Sequence, residues 1–181
     1  MKNLSFIAGL LIITTAAFAQ NFTLASSTLG GQATSTEEFG GFGCKGDNIS
    51  PELHWMNAKE GTKSFAITMY DPDAPTGSGW WHWLVLDIPS DTQSLKAGAG
   101  AIDGENLPMG AIQTVTDYGF SGYGGPCPPQ GHGYHTYIIT VYALPEASLE
   151  LSSETNAAVV GYNLNAKALA KASIVAYYKR D

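Results

Sequence analysis

Three apolar runs of strand length constrain the fold of this chain more than any other feature. They are "SFAITMY" (Ser64–Tyr70), "WHWLVLDI" (Trp81–Ile88) and "HTYIITVYAL" (His135–Leu144). Each is rich in β-branched and aromatic residues and has glycine or proline nearby, the pattern of a strand bounded by turns. The second is apolar enough to be buried on both faces. In the third, Ile139, Val141 and Ala143 alternate against Thr140 and Tyr142. The stretch between the second and third runs is dense in glycine and proline and predicts loops with little regular structure. "NFTLAS" near the start predicts a further strand followed by a long surface loop, and "ISPELHW" brings the chain back to the core. After Pro145 the period changes. In "SSETNAAVVGYNLNAKALAKA" alanine and leucine recur at helical spacing, with Ser152 or Ser153 as the expected cap. "SIVAYYKR" predicts a short last strand. Strands first and a helix late give a β-dominated α+β fold. No repeat or linker splits residues 20–181, which read as one domain.

The N-terminus predicts export. Lys2 is the positive n-region, Leu4 to Ala17 an apolar h-region, and Ala17-Phe18-Ala19 a small-x-small cleavage signal, so residues 1–19 read as a signal peptide. The apolar run is shorter than the roughly 20 residues of a membrane span, and no stop-transfer charges follow. No cysteine lies beside the cleavage point, which argues against a lipoprotein. The expected location is periplasmic in a Gram-negative source, and otherwise secreted. The formal net charge is -7. With no Lys/Arg cluster, nothing matches the phosphates of a nucleic acid or the surface of anionic lipid. An exported chain with two cysteines, Cys44 and Cys127, invites a disulfide. Closing so long a loop is worth about 4–5 kcal/mol in the chain-entropy account. Two buried thiols are the alternative. Glu37-Glu38 reads as a solvated face.

Two loops stand out: Asp71–Trp83 ("DPDAPTGSGWWHW") and Gly122–Tyr137 ("GYGGPCPPQGHGYHTY"). Each runs into a buried strand and carries a histidine at the strand start, His82 in one and His135 in the other. If those strands are neighbours, both imidazoles emerge at one end of the sheet, where Asp71 and Asp73 close the preceding strand. Proline fixes loop shape without a backbone donor. The result is a small pre-formed pocket of imidazoles, carboxylates, aromatic walls and backbone amides. Trp81 and Trp83 are the expected aromatic borders. A lone histidine beside tryptophan in a strand is ordinarily a core residue. Two in matching loop–strand contexts, one with Asp-Pro-Asp, favour an anion site. A zinc site on both histidines and Asp71 or Asp73 is the second reading, although no H-E-x-x-H or H-x-H spacing is present. A weak hydrolase is the third. Ser78 and Ser121 miss the G-x-S-x-G elbow, and Cys127 serves as nucleophile only if it is not paired. His54 and His132 read as surface or loop residues.

These motifs resemble those of the phosphatidylethanolamine-binding proteins, most nearly the bacterial Raf-kinase-inhibitor-like branch. The similarity runs from "FGCKGDNISPELHW" through "GTKSFAITMYDPDAPTGSGWWHWLVLDIP" and "GYGGPCPPQGHGYHTY" to "YYKR". It implies a large central antiparallel-rich sheet packed on a smaller sheet, with a C-terminal helical segment. It also implies a pocket lined by Asp71, Ala74, Pro75, His82, Pro128, Pro129, His135 and Tyr137. The implied ligand is a small phosphorylated molecule or a phospholipid head group, bound with no cofactor, no metal and no general catalytic turnover. Some eukaryotic members inhibit kinases or proteases, and an unidentified protein partner is compatible with the resemblance. Two features depart from it. The family often has arginine where this chain has Thr136, and export separates the chain from any cytosolic kinase.

Overall fold

A computed structural model describes residues 21–181. The expected signal peptide lies outside the described residues. Eight strands and one helix follow in the order β1 (Thr23–Ala25), β2 (Leu53–Met56), β3 (Ser64–Asp71), β4 (Trp80–Pro89), β5 (Ser94–Leu95), β6 (Ile112–Gln113), β7 (His135–Leu144), α1 (Ala157–Lys167) and β8 (Ala170–Tyr178). The larger sheet has five strands in the order β6-β4-β3-β7-β8, and the smaller has three in the order β1-β2-β5. Every pairing in both is antiparallel.

The apolar runs are explained by what covers them. One face of the large sheet carries Phe65, Ile67, Met69, Val85, Ile139 and Val141 and packs on Leu24, Leu53 and Trp55 of the small sheet. The other carries Ala66, Leu84, Leu86, Tyr142 and Leu144 and packs under Ala157, Val160 and Leu164 of α1. Successive strand residues point to opposite faces, so a sheet covered on both sides needs apolar residues at nearly every position. Each Val or Leu so buried contributes about 1.5–3 kcal/mol.

The adjacency of the two histidine-bearing strands, posed above as a condition, is not met. β4 and β7 are not neighbours, because β3 lies between them and pairs with both. The late helix also starts later than Ser152 or Ser153 predict. Asn156 is its cap, and its side-chain oxygen accepts from Val159 N at 3.0 Å. Ser153 is drawn into the fold instead, its carbonyl accepting from Val115 N and from Ser121 Oγ. Lys167 in the last turn suits the negative end of the helix dipole. Gly161 sits in mid-helix because Trp81 packs there: a Cβ would lie 3.3 Å from the indole. The alanine-rich stretch does not stay helical to Ala172. β8 begins at Ala170 and pairs with β7 from Ala143↔Ala170 to His135↔Tyr178, longer than the short strand the sequence predicts. Pairing along a whole strand outweighs the helical preference of a few alanines.

A bulge in β4 sets the site. Met69 pairs with Trp83 and Tyr70 with Trp81, which leaves His82 as the extra residue. Bulges re-aim side chains and break alternation. Trp81 therefore packs with the α1 layer while Trp83, two residues on, lies in the core between the sheets.

Candidate functional site

The site lies where β3 ends and β4 and β7 begin. Asp71 (3 % exposed), His82 (3 %) and His135 (1 %) are all buried there. Asp71 Oδ2 accepts from His135 Nδ1–H at 2.7 Å, and Asp71 Oδ1 accepts from Asp73 N at 2.8 Å. Asp73 Oδ2 accepts from Thr136 N at 2.7 Å. The Asp-Pro-Asp turn thus staples the end of β3 to the start of β7 and fixes the His135 ring. Asp73 therefore binds backbone, at Thr136 N.

His82 is held by the second loop. Its Nδ1–H donates to Gly124 O at 2.7 Å, and its own carbonyl accepts from Gly124 N at 2.9 Å. That loop is anchored in turn by Asn48, whose Oδ1 accepts from Gly125 N at 2.8 Å and whose Nδ2 donates to Tyr123 O at 3.0 Å. Gly125 cannot be replaced without rearrangement, since a Cβ would fall 1.8 Å from Glu37 O. Glu37 is itself buried rather than solvated, its carboxylate accepting from Thr34 N and Oγ1, both at 2.8 Å. This corrects the reading of Glu37-Glu38 as a solvated face: the first glutamate closes a turn against the loop that shapes the cavity.

Cys44 and Cys127 form a disulfide with a Cα–Cα distance of 6.0 Å. It ties the Phe39–Cys44 loop to the cavity wall, and Cys127 has no free thiol to act as a nucleophile. Arg180 braces the same two loops from the C-terminus through Gly43 O at 3.0 Å and Pro128 O at 3.4 Å.

The cavity is half open to solvent and holds about 190 Å³, small against the ~300 Å³ at which drug-sized sites begin. Asp71, Ala74, Pro75, His82, Pro128, Pro129, His135 and Tyr137 all line it. The wall also includes Phe42, Thr76, Trp80, Tyr118 and Cys127, which sequence reasoning did not place there. Trp80 takes the position expected of Trp81 and Trp83. Those two are elsewhere because of the bulge, Trp83 donating through Nε1 to Gln113 Oε1 at 2.7 Å. Tyr118 comes from a loop with no period to betray it. Its hydroxyl donates to Gly125 O at 2.7 Å, and its ring meets His82 edge-on.

The electrostatics follow from burial. Desolvation pushes the His82 imidazole down to about 4, against the opposing pull of the Gly124 carbonyl and Asp71, so the ring is neutral at pH 7. Burial, with Asp71 nearby, drives the Tyr137 phenol well above its ordinary value. The Tyr137 hydroxyl and the Trp80 indole N–H are buried with no hydrogen-bond partner. A buried polar atom without a partner is uncommon, and on a cavity wall it marks a place for a ligand or water. His132, read as a loop residue, contributes through His135: its Nδ1 lies 2.8 Å from His135 Nε2. The one clue in the sequence was its spacing, three residues before His135. Among the described residues no three His, Cys, Asp or Glu side chains converge as metal ligands, so the zinc reading lacks its ligand set.

The fold thus sets a small, braced cavity at one end of the larger of two antiparallel sheets. The match to the phosphatidylethanolamine-binding protein family spans residues 26–179, and the chain belongs to that family. It is 47% identical over 181 residues to the UPF0098 protein YbcL of Escherichia coli K12, covering 99% of each chain. To YbhB of the same organism it is 49% identical over 140 residues, covering 77% of this chain and 87% of that one. The crystal structure of E. coli YbcL, described as a new member of the mammalian PEBP family, superposes with a TM-score of 0.87. That match has 48% identity and covers 88% of this chain and 99% of that one.

Proposed function

We propose that this chain is an exported binding protein that captures phosphate-type anions or phospholipid head groups in the cavity between His82 and His135, without turning them over. The observation that carries this reading is the Tyr137 hydroxyl, which, like the Trp80 indole N–H, is buried without a partner in a residue of the cavity wall. Asp71 supports it by fixing His135. Membership of a family named for phosphatidylethanolamine binding points the same way. The disulfide favours an oxidising compartment. A relative in Mycobacterium tuberculosis named lipoprotein LppC, 38% identical over 106 residues, agrees with a place outside the cytoplasm. Phe42, 73 % exposed on the cavity rim, is where a protein partner would read the occupied pocket.

The test is an NMR titration of residues 20–181 with phosphorylethanolamine, inorganic phosphate and zinc, observed at the His82 and His135 imidazoles. Saturable shifts at both rings with the phosphorylated compounds support the reading. No response to either compound, or release of phosphate from phosphorylethanolamine, overturns it.

A further inference from the structure

The last strand of the larger sheet has a free edge. β8 stands at the end of the order β6-β4-β3-β7-β8, and its inner side pairs with β7. Residues of an antiparallel strand bond alternately to one side and the other. Tyr177 bonds outward: its N–H donates to Gly31 O and its carbonyl accepts from Ala33 N, both at 3.0 Å. Val175, Ser173 and Lys171 therefore turn their N–H and C=O groups outward too, and all three residues are exposed. No described residue meets those groups. The free stretch is closed at both ends. Tyr177 is taken by the Gly31–Ala33 segment, and Leu169 N is drawn inward to Ala143 O at 2.8 Å.

Exposed backbone edges are ordinarily blunted by proline, by a bulge or by charges. From Lys171 to Val175 there is no proline, the register with β7 is continuous, and Lys171 is the one charge. We propose that this edge pairs with the same edge of a second copy of the chain, antiparallel and centred on Ser173. Ser173 then faces Ser173, and Lys171 faces Val175 of the other copy. A slide in either direction sets Val175 against Leu169 or Lys171 against Tyr177, whose groups are already used. A second copy is the occupant that fits, because it presents a free stretch of the same length closed at the same two points. The side chains agree. Ser173 is small and tied back to Thr140 through a 2.8 Å hydroxyl contact, so the two strands meet there without a clash. Like charges do not face each other. The Lys171 stem covers exposed Val175 of the other copy, and its ammonium comes within reach of the exposed Tyr177 ring diagonally across. β8 runs towards the cavity, with Tyr178 opposite His135. Antiparallel pairing therefore sets the two cavities at opposite ends of one continuous sheet.

The experiment is sedimentation analysis of residues 20–181 over a range of concentrations, paired with amide hydrogen exchange. So short a contact belongs with the transient interfaces, and half-association is expected on the order of 100 µM. The Lys171, Ser173 and Val175 amides should be protected at high concentration and released on dilution. Val175→Glu, which sets a carboxylate against Lys171 of the other copy, should tighten the dimer about threefold or more. Val175→Lys should weaken it by a similar factor. Ser173→Cys should cross-link to its own copy under mild oxidation, since directly bonded residues lie about 5.5 Å apart at Cα, within disulfide range. If that variant misfolds, the two Val175 variants decide. A monomer at about 1 mM overturns the proposal. So does a dimer indifferent to both Val175 substitutions, which places the contact elsewhere. Protection of the three amides that dilution leaves unchanged also overturns it, because the edge is then paired within one chain.

Discussion

His135 donates to Asp71 across 2.7 Å in a contact where both side chains are almost fully buried, 2 % and 4 % exposed. The bond joins the start of β7 to the end of β3 and holds one wall of the cavity. Removing one partner of a buried pair leaves the other uncompensated. Asp71→Ala is expected to lower unfolding free energy by about 3–5 kcal/mol, read by urea denaturation, and to release the His135 ring. A loss under 1 kcal/mol would mean that water replaces the carboxylate without penalty.

His132 competes for the nitrogen of His135 that is not bound to Asp71. Its side chain is exposed, so His132→Ala should change stability by less than about 1 kcal/mol. Freed from that contact, His135 Nε2 becomes available to a ligand. Giving up one hydrogen bond costs about 1 kcal/mol, so the variant should bind inorganic phosphate a few-fold more tightly. Calorimetry checks this, and weaker binding would make His132 a ligand contact instead.

The pH dependence of stability follows from His82. Burial depresses its folded-state value to about 4, below the 6.5 of an exposed imidazole. The unfolded chain therefore binds the proton more readily than the folded one between those values. The stability associated with neutral His82 is fully present above pH 6.5 and is lost as pH falls towards 4, by an amount on the order of 3 kcal/mol. Urea midpoints at half-unit steps should decline over this window, and less steeply in His82→Phe. Parallel curves for the two proteins would assign the decline to other groups.

The disulfide closes a separation of 83 residues and carries one edge of the cavity. Reduction, or Cys44→Ser with Cys127→Ser, should lower stability by about 4–5 kcal/mol in the chain-entropy account. It should also weaken phosphate binding, because Phe42 and Pro128 lose their covalent link. Retained affinity in a destabilised double variant would show that Arg180 and Asn48 suffice to hold the loops.

Much of this was legible in the residues. Apolar runs bounded by glycine and proline marked β3, β4 and β7, and the residues of the two loops entering β4 and β7 pointed to Asp71, His82 and His135. Ala74, Pro75, Pro128, Pro129 and Tyr137 were implied by the family resemblance. Period and turn chemistry are local properties, recorded within a few neighbouring positions. The late helix was visible in outline, but its cap was not. Asn156 and Ser153 are both good caps, and only the contacts of Ser153 with Val115 and Ser121 decide between them.

The sequence by itself determined that this chain is built of strands, with a histidine at the head of each loop-fed strand and acids closing the strand before. The tertiary structure alone decided that β3 stands between β4 and β7, so that Asp71 reaches His135. It alone decided that the bulge at His82 puts Trp80, not Trp81 or Trp83, on the cavity wall. It also brought Tyr118, Phe42 and His132 to the site. The physical reason is that strand pairing is non-local and side chains alternate with a period of two, so one inserted residue changes every face that follows.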